Sequence, residues 1–162
     1  MPTNPQQEGF LRQARSDFEV YQLLARRGQC HRLHYLQMNT EKLAKTYFWA
    51  AGAGPRKHDV FVDFLKAVEL RPDFHRMFGY RDPQAKAHQQ PAIFALARRI
   101  EGLAPAGNPG PNPEYPWPRT MPTIAPVDHD FAEWHEWNET TAGRRLHAFV
   151  KKLLADYNIY FP

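Results

Sequence analysis

Four basic residues near the end of the chain have the spacing of a phosphate-binding helix face. Arg144 and Arg145 precede Lys151 and Lys152 by seven residues, and His147 lies between the two pairs. Residues related by i,i+7 share one stripe of an α-helix. Such a stripe is typical of a surface that contacts phosphate groups, and it is equally compatible with an ordinary solvated face. We take Arg144, Arg145, Lys151 and Lys152 as the candidate nucleic-acid-binding residues.

Histidine and acidic residues cluster in two places where metal binding is the chemistry to consider. His31 and His34 are three residues apart on one predicted helix, but no carboxylate or third histidine is spaced to complete a site. Segments 128–130 and 135–136 mix acidic residues with histidine, and solvation is the simpler interpretation. Cys30, the only cysteine, has no recognisable partner acid. We predict no metal site, no catalytic thiol and no cofactor.

The elements that position these residues are predicted to be helices. Apolar residues recur at steps of three and four over 10–26, 31–50, 57–70, 86–103 and from Thr140 or Thr141 through Tyr157. This periodicity predicts five amphipathic helices, and the short first link favours antiparallel neighbours. Segments 73–80 and 128–138 each permit a helical turn. We expect an all-α, antiparallel up-and-down bundle of about five helices.

Residues 104–126 differ in kind from these segments, because eight of the chain's 15 prolines lie there. Proline excludes both a helix interior and an interior strand. We predict an extended strap that fixes its aromatic side chains against the bundle. A docking ligand for a partner's aromatic groove and simple disorder are the alternatives. Residues 1–8 are polar with two prolines and predict a flexible leader, so that one domain spans 9–162.

Composition limits the classes of protein to consider. A length of 162 residues suits one domain with a core that needs no disulfide. The 43% hydrophobic and 23% charged residues argue against wholesale disorder. A net charge of +4 permits a polyanionic partner without requiring one. No signal-like segment opens the chain and no run approaches about 20 apolar residues, so we expect a cytoplasmic protein without a membrane span.

The second predicted helix carries a distinctive polar pattern. Gln37 near its middle is followed by Glu41-Lys42 and then by Lys45, and the helix resembles the second helix of the HEPN superfamily. Three other segments are similar to the same superfamily: Ala14, Asp17, Phe18 and Leu24 in the first helix, His58 with Phe61, Phe64 and Leu65 in the third, and Pro113-Glu114-Tyr115-Pro116 before the last. The resemblance implies a HEPN-like helical scaffold.

The resemblance also implies RNA as a ligand and a homodimer as the assembly. Active HEPN ribonucleases cleave RNA without a metal, using an Arg, a polar residue just after it and a His a few positions further on. A guanidinium can hold the scissile phosphate while an imidazole moves protons near neutral pH. Chance alone produces several Arg–His pairs at this spacing here, and only Arg81/His88 both has a polar residue, Asp82, after the Arg and lies before a predicted helix. Arg81, Asp82 and His88 are the candidate catalytic residues.

Three functions remain open at this point. The lack of a convincing catalytic motif favours a non-catalytic HEPN-like module that binds RNA, a nucleotide or a protein partner. The first alternative is a metal-independent ribonuclease of a toxin or defence system. The second is a protein-docking adaptor that uses the proline-rich strap. Fold resemblance alone does not decide between them.

Overall fold

The computed structural model describes residues 4–103, 111, 113–114 and 123–162, and these residues form seven α-helices and no β-strand. The predicted all-α class is confirmed, but the expected number of about five helices is too low by two, since α4 and α6 are short helices where a single turn was expected. None of the helices in this part of the chain has the length and apolar character to cross a membrane. The helices are α1 (Pro5–Leu23), α2 (Gln29–Phe48), α3 (Phe61–Glu69), α4 (Phe74–Phe78), α5 (Pro83–Glu101), α6 (Ala132–Glu139) and α7 (Thr141–Tyr160).

Helices α1 and α2 form an antiparallel hairpin. The Asn4 side chain at the start of α1 donates to the carbonyl oxygen of Trp49, just beyond α2, at 3.4 Å. At the other end, the Arg32 guanidinium near the start of α2 lies 4.8 Å from the Tyr21 ring centroid near the end of α1. The predicted antiparallel arrangement of these two helices is therefore confirmed.

The flexible leader predicted over residues 1–8 is wrong for residues 5–8. Helix α1 begins at Pro5, and the Asn4 side chain accepts a hydrogen bond from the Gln6 backbone N–H at 2.9 Å. Asparagine is a favourable N-cap, and proline's fixed φ suits the first helical position. Gln7 is buried, so this turn belongs to the folded domain. Residues 1–3 lie outside the described part of the chain.

Helix α5 begins earlier than its apolar periodicity predicts, at Pro83 rather than at residue 86. The Asp82 carboxylate accepts the Ala85 backbone N–H at 2.7 Å and caps the first turn. Pro91 lies inside the helix without ending it. The capping aspartate thus outweighs the lack of apolar residues in the first turn.

Helix α3 begins later than predicted, at Phe61 rather than at Lys57, because its cap comes from another helix. The Glu101 carboxylate at the end of α5 accepts the backbone N–H groups of Phe61 and Val62 at 2.6 and 3.1 Å. Burial raises the pKa of Glu101 more than these two donors lower it. A carboxylate suits this position because it complements the positive end of the helix dipole.

Helix α7 lies at the centre of the apolar core. Its Phe149 ring stacks on Phe78 of α4, with ring centroids 3.9 Å apart, and lies 6.2 Å from Phe64 of α3. Trp137 of α6 is fully buried and donates to the Tyr21 hydroxyl of α1 at 2.9 Å. Contacts of α7 and its preceding helix therefore fix the position of α1 at this end of the bundle.

Most of the strap predicted over 104–126 lies outside the described residues, and so do its expected aromatic contacts. Within the described part, Pro113 is buried and Glu114 Oε1 lies 2.7 Å from His34 Nδ1 on α2. This short piece of the segment is therefore held against α2 by the contact between Glu114 and His34.

Gly143 lies where α6 meets α7, and we predict that Gly143→Ala destabilises the protein by about 1–3 kcal/mol or more. An added Cβ would meet the backbone carbonyl oxygens of Glu136 and Trp137, which cannot move aside as a flexible side chain can. Urea unfolding followed by circular dichroism measures the effect. Gly9→Ala is the control: its Cβ meets nothing within 4 Å, and alanine in α1 adds roughly 0.5–1 kcal/mol of stability. Equal stability of the Gly143→Ala protein and the wild type would contradict this contact.

Candidate nucleic-acid interface

Arg145, one of the four predicted nucleic-acid-binding residues, is held in contacts within the fold. Its guanidinium donates to the carbonyl oxygens of Phe78 and Gly79 at 3.2 and 3.0 Å. The same group lies 5.4 Å from the centroid of the Tyr80 ring. Arg145 therefore joins α7 to the end of α4, and a ligand would have to compete with these contacts.

The other three predicted cations are exposed on α7, but only one has no partner. Arg144 donates to the Glu139 carbonyl oxygen at 2.9 Å, and Lys152 lies 3.6 Å from the Asp156 carboxylate. Lys151 is exposed and forms no ion pair with any described residue. Of the four predicted residues, Lys151 is therefore the one whose charge has no partner among the described residues.

Lys151 borders a groove between α1 and α7. Two adjoining hollows, of about 330 and 210 Å³, share Arg15 as a common wall. We call this surface the cationic groove, and define it by Arg12, Arg15 and Lys151. Its larger hollow is lined by Arg15, Phe18, Glu19, Gln22, Lys151, Leu154 and Ala155, and its smaller one by Gln7, Glu8, Leu11, Arg12, Arg15, Tyr157 and Asn158.

The charges of the cationic groove are not neutralised within the described residues. Arg12, Arg15 and Lys151 are exposed, and none of them forms an ion pair there. Arg15 Nε donates to the Leu154 carbonyl oxygen at 2.8 Å, which fixes the guanidinium between the two helices. Glu19 also lines the groove, so the surface is cationic without being uniformly so. Unpaired guanidinium and ammonium groups are the donors that phosphate groups require.

His147 does not add to this positive charge at neutral pH. Burial lowers the pKa of its imidazole, and the nearby Lys151 and Arg32 lower it further. Its ring lies 5.4 Å from the Trp137 ring centroid and 5.8 Å from that of Phe18. His147 is therefore part of the aromatic contact between α1, α6 and α7.

The sequence contains a pattern that indicates a basic face on α1, in addition to the apolar face of this helix. Arg12 and Arg15 are three residues apart and therefore share one side of the helix. What the sequence does not contain is their position beside Lys151, 136 residues after Arg15 along the chain. That juxtaposition depends on how α7 packs against α1.

The candidate catalytic residues lie at the start of α5: Arg81 and Asp82 precede the helix, and His88 lies within it. Arg81 and His88 are exposed, and Asp82 caps the helix through the Ala85 N–H. The aspartate thus has a structural role that accounts for a polar residue at this position. None of the three lines a hollow of the cationic groove.

One histidine of each remaining cluster lies within hydrogen-bond distance of a carboxylate. His34 has a carboxylate partner after all, since Glu114 reaches it from a distant part of the sequence. His135 Nε2 lies 2.7 Å from Asp130, and this hydrogen bond is the main reason why the pKa of His135 is raised. Within the described ranges no group of three or more potential ligands is placed to hold a metal ion. Cys30 is buried and offers no exposed thiol.

The polar residues that carry the HEPN resemblance form a connected network around Glu41, which is 6% exposed. Lys45 Nζ and Gln37 Nε2 donate to its two carboxylate oxygens at 2.7 and 3.3 Å, and His58 Nδ1 lies 3.0 Å from one of them. Burial raises the pKa of Glu41, but the hydrogen bonds and charges of Lys45 and His58 outweigh it, so the net pKa is lowered. The network attaches the segment before α3 to α2.

Two further polar contacts fix α1 against α2. Lys42 of α2 lies 2.9 Å from the Asp17 carboxylate of α1. The fully buried Asn39 side chain donates to the Ala14 carbonyl oxygen at 2.7 Å. Each contact joins one particular group of α1 to one particular group of α2. Together they set the register of the hairpin and, with it, the position of Arg12 and Arg15.

Fold and surface together define an all-helical domain with a cationic groove between its first and last helices. Comparisons of the chain with models of known protein families, with curated proteins and with solved structures gave no match.

We predict that Glu41→Gln destabilises the protein by about 3 kcal/mol at pH 7, because it leaves the buried Lys45 charge unpaired. The folded-state pKa of Glu41 lies below its ordinary value of 4.5. Its stabilising contribution is therefore present above that value and is lost as the pH falls through the lowered pKa. Thermal unfolding between pH 3 and pH 7 should show a shallower acid dependence for the variant.

Two further proteins make the Glu41 experiment decisive. Glu19→Gln changes an exposed carboxylate and should leave stability within about 0.5 kcal/mol of the wild type. Glu41→Gln combined with Lys45→Met also removes the unpaired ammonium group of Lys45. This double variant should recover part of the lost free energy of unfolding. A double variant less stable than Glu41→Gln would contradict the assignment of the effect to an unpaired Lys45.

Proposed function

We propose that this chain is a non-catalytic HEPN-like module that binds RNA through the cationic groove. The observation that supports the proposal is the alignment of Arg12, Arg15 and Lys151 along one groove without ion-pair partners among the described residues. Cations repeated along a groove suit a ligand with repeated negative charges, which a phosphodiester backbone provides. The HEPN resemblance favours RNA among such ligands.

The rigidity of the groove also supports a binding role. One wall is α1, which the Asp17–Lys42 and Ala14–Asn39 contacts attach to α2. Arg15 then links α1 to α7 through the Leu154 carbonyl oxygen. Because the Arg15 guanidinium is positioned before a ligand arrives, less conformational entropy is lost when this side chain binds.

The test is binding of a labelled single-stranded RNA, measured by fluorescence anisotropy over a range of salt concentrations. We predict that Arg12→Ala and Lys151→Ala each weaken binding and each reduce the slope of log K against log salt by about 0.7, the value for one lost contact with a single strand. Lys66→Ala is the matched control, since Lys66 is exposed on α3 outside the groove. Wild-type protein that fails to bind RNA at low salt, or groove variants that bind like Lys66→Ala, would refute the proposal.

A cleavage assay separates this function from the ribonuclease alternative. We expect single-stranded RNA to remain intact during incubation with the protein in EDTA, because Arg81 and His88 lie on the exposed start of α5, where Asp82 serves as a helix cap. Denaturing gel electrophoresis gives the readout. Cleavage by the wild type that disappears in both Arg81→Ala and His88→Ala would establish the alternative and overturn the non-catalytic proposal.

A further inference from the structure

The smaller hollow of the cationic groove is different in character from the rest of it. It has a volume of about 210 Å³ and lies where the start of α1 meets the end of α7. Pockets that enclose a whole drug-sized ligand have about 300–1,000 Å³, so this hollow suits a smaller group. Its polar lining is rich in donors: two guanidinium groups, two side-chain amides and one phenol, from Arg12, Arg15, Gln7, Asn158 and Tyr157.

Tyr157 is the residue that points to a ligand. The side chain is 1% exposed, and its buried hydroxyl has no hydrogen-bond partner of acceptable geometry, although the Gln7 side chain lies beside it. A buried hydroxyl that stays unpaired costs free energy, and most such groups in native proteins have a partner. Burial raises the pKa of Tyr157, so the hydroxyl keeps its proton and can act as a donor. An acceptor atom in this hollow would satisfy it.

The two arginines define the charge of that acceptor. Arg15 Nε is occupied by the Leu154 carbonyl oxygen at 2.8 Å, which holds the side chain beside the hollow and leaves its terminal amino groups available. Arg12 is exposed and forms no ion pair with a described residue. Glu8 also lines the hollow, so its formal side-chain charge is two positive against one negative. The lining therefore favours an anion with several acceptor oxygens.

A terminal phosphate monoester meets these requirements better than an internal phosphodiester. It carries a charge of about −1.5 to −2 at neutral pH and presents three terminal oxygens. An internal diester carries a single charge, and both of its neighbouring nucleotides would have to fit near the hollow. A group at the end of a strand can enter a small hollow while the rest of the strand follows the groove.

We propose that the hollow lined by Arg12, Arg15 and Tyr157 binds the terminal phosphate of an RNA strand whose backbone lies along the cationic groove. This inference rests on the proposed RNA-binding function, and it adds that the protein distinguishes phosphorylated strand ends from hydroxyl ends. Tyr157 supplies the hydroxyl donor and the two arginines supply the positive charge.

The experiment compares four labelled RNA strands of one sequence. Each strand carries either a phosphate or a hydroxyl at its 5′ end and either a phosphate or a hydroxyl at its 3′ end. We predict that a phosphate at one of the two ends tightens binding about tenfold, the effect of a hydrogen bond to a charged group. Tyr157→Phe retains the buried ring and removes only the hydroxyl donor, so it should weaken this preference. Tyr160→Phe, a phenol on the same helix outside the hollow, should keep the preference.

The outcomes separate this inference from the proposed function. Equal affinity for phosphate and hydroxyl ends in the wild type, or an end preference as large in Tyr157→Phe as in the wild type, would overturn the terminal-phosphate site while RNA binding stands. Adenosine monophosphate, tested by calorimetry, covers the opposite case. Binding of this nucleotide that Tyr157→Phe weakens, without binding of any strand, would support the phosphate site and refute the RNA-binding function.

Discussion

The burial of charged side chains between α1 and α2 is the constraint on which the other elements depend. A charge removed from water must be paired, and here Glu41 meets Lys45 while Asp17 meets Lys42. The Asp17–Lys42 pair joins the two helices and is satisfied in only one register of the hairpin, whereas Glu41 and Lys45 both belong to α2. The hairpin is consequently specified more sharply than its apolar stripe alone would specify it, and the segment before α3 is bound to the same carboxylate through His58.

The proposed binding surface, the cationic groove, depends on the register of this hairpin. Helix α1 contacts α2 through buried polar groups on one side and α7 through Arg15 on the other. The cationic groove therefore lies between two rigid walls, although no single segment of the sequence contains it. Its three cations lie outside the core, and none of them forms an ion pair with a described residue.

The sequence predicted what depends on local periodicity and missed what depends on distant partners. Apolar residues at steps of three and four identified the five long helices, because each helix must bury one face. The start of α3 was misplaced since its cap, Glu101, lies far along the chain. The helical stripe of α7 predicts Lys151 as a candidate binding residue. The contact of Arg145 with Tyr80, and the position of Arg12 and Arg15 in the groove, depend on packing. The start of α1, by contrast, has a local signal, since Asn4 is a favourable N-cap and Pro5 suits the first helical position.

The cap that Glu101 supplies to α3 has a consequence for the order of folding. Helix α3 has nine residues, which is too short for an isolated helix to persist in water. Its first N–H groups are satisfied by a carboxylate 40 residues later in the chain. Until the end of α5 has been synthesised and has docked, these N–H groups are left to water, and α3 lacks its cap. The hairpin of α1 and α2 precedes it in sequence, and the polar contacts that join its two helices require no residue of α5.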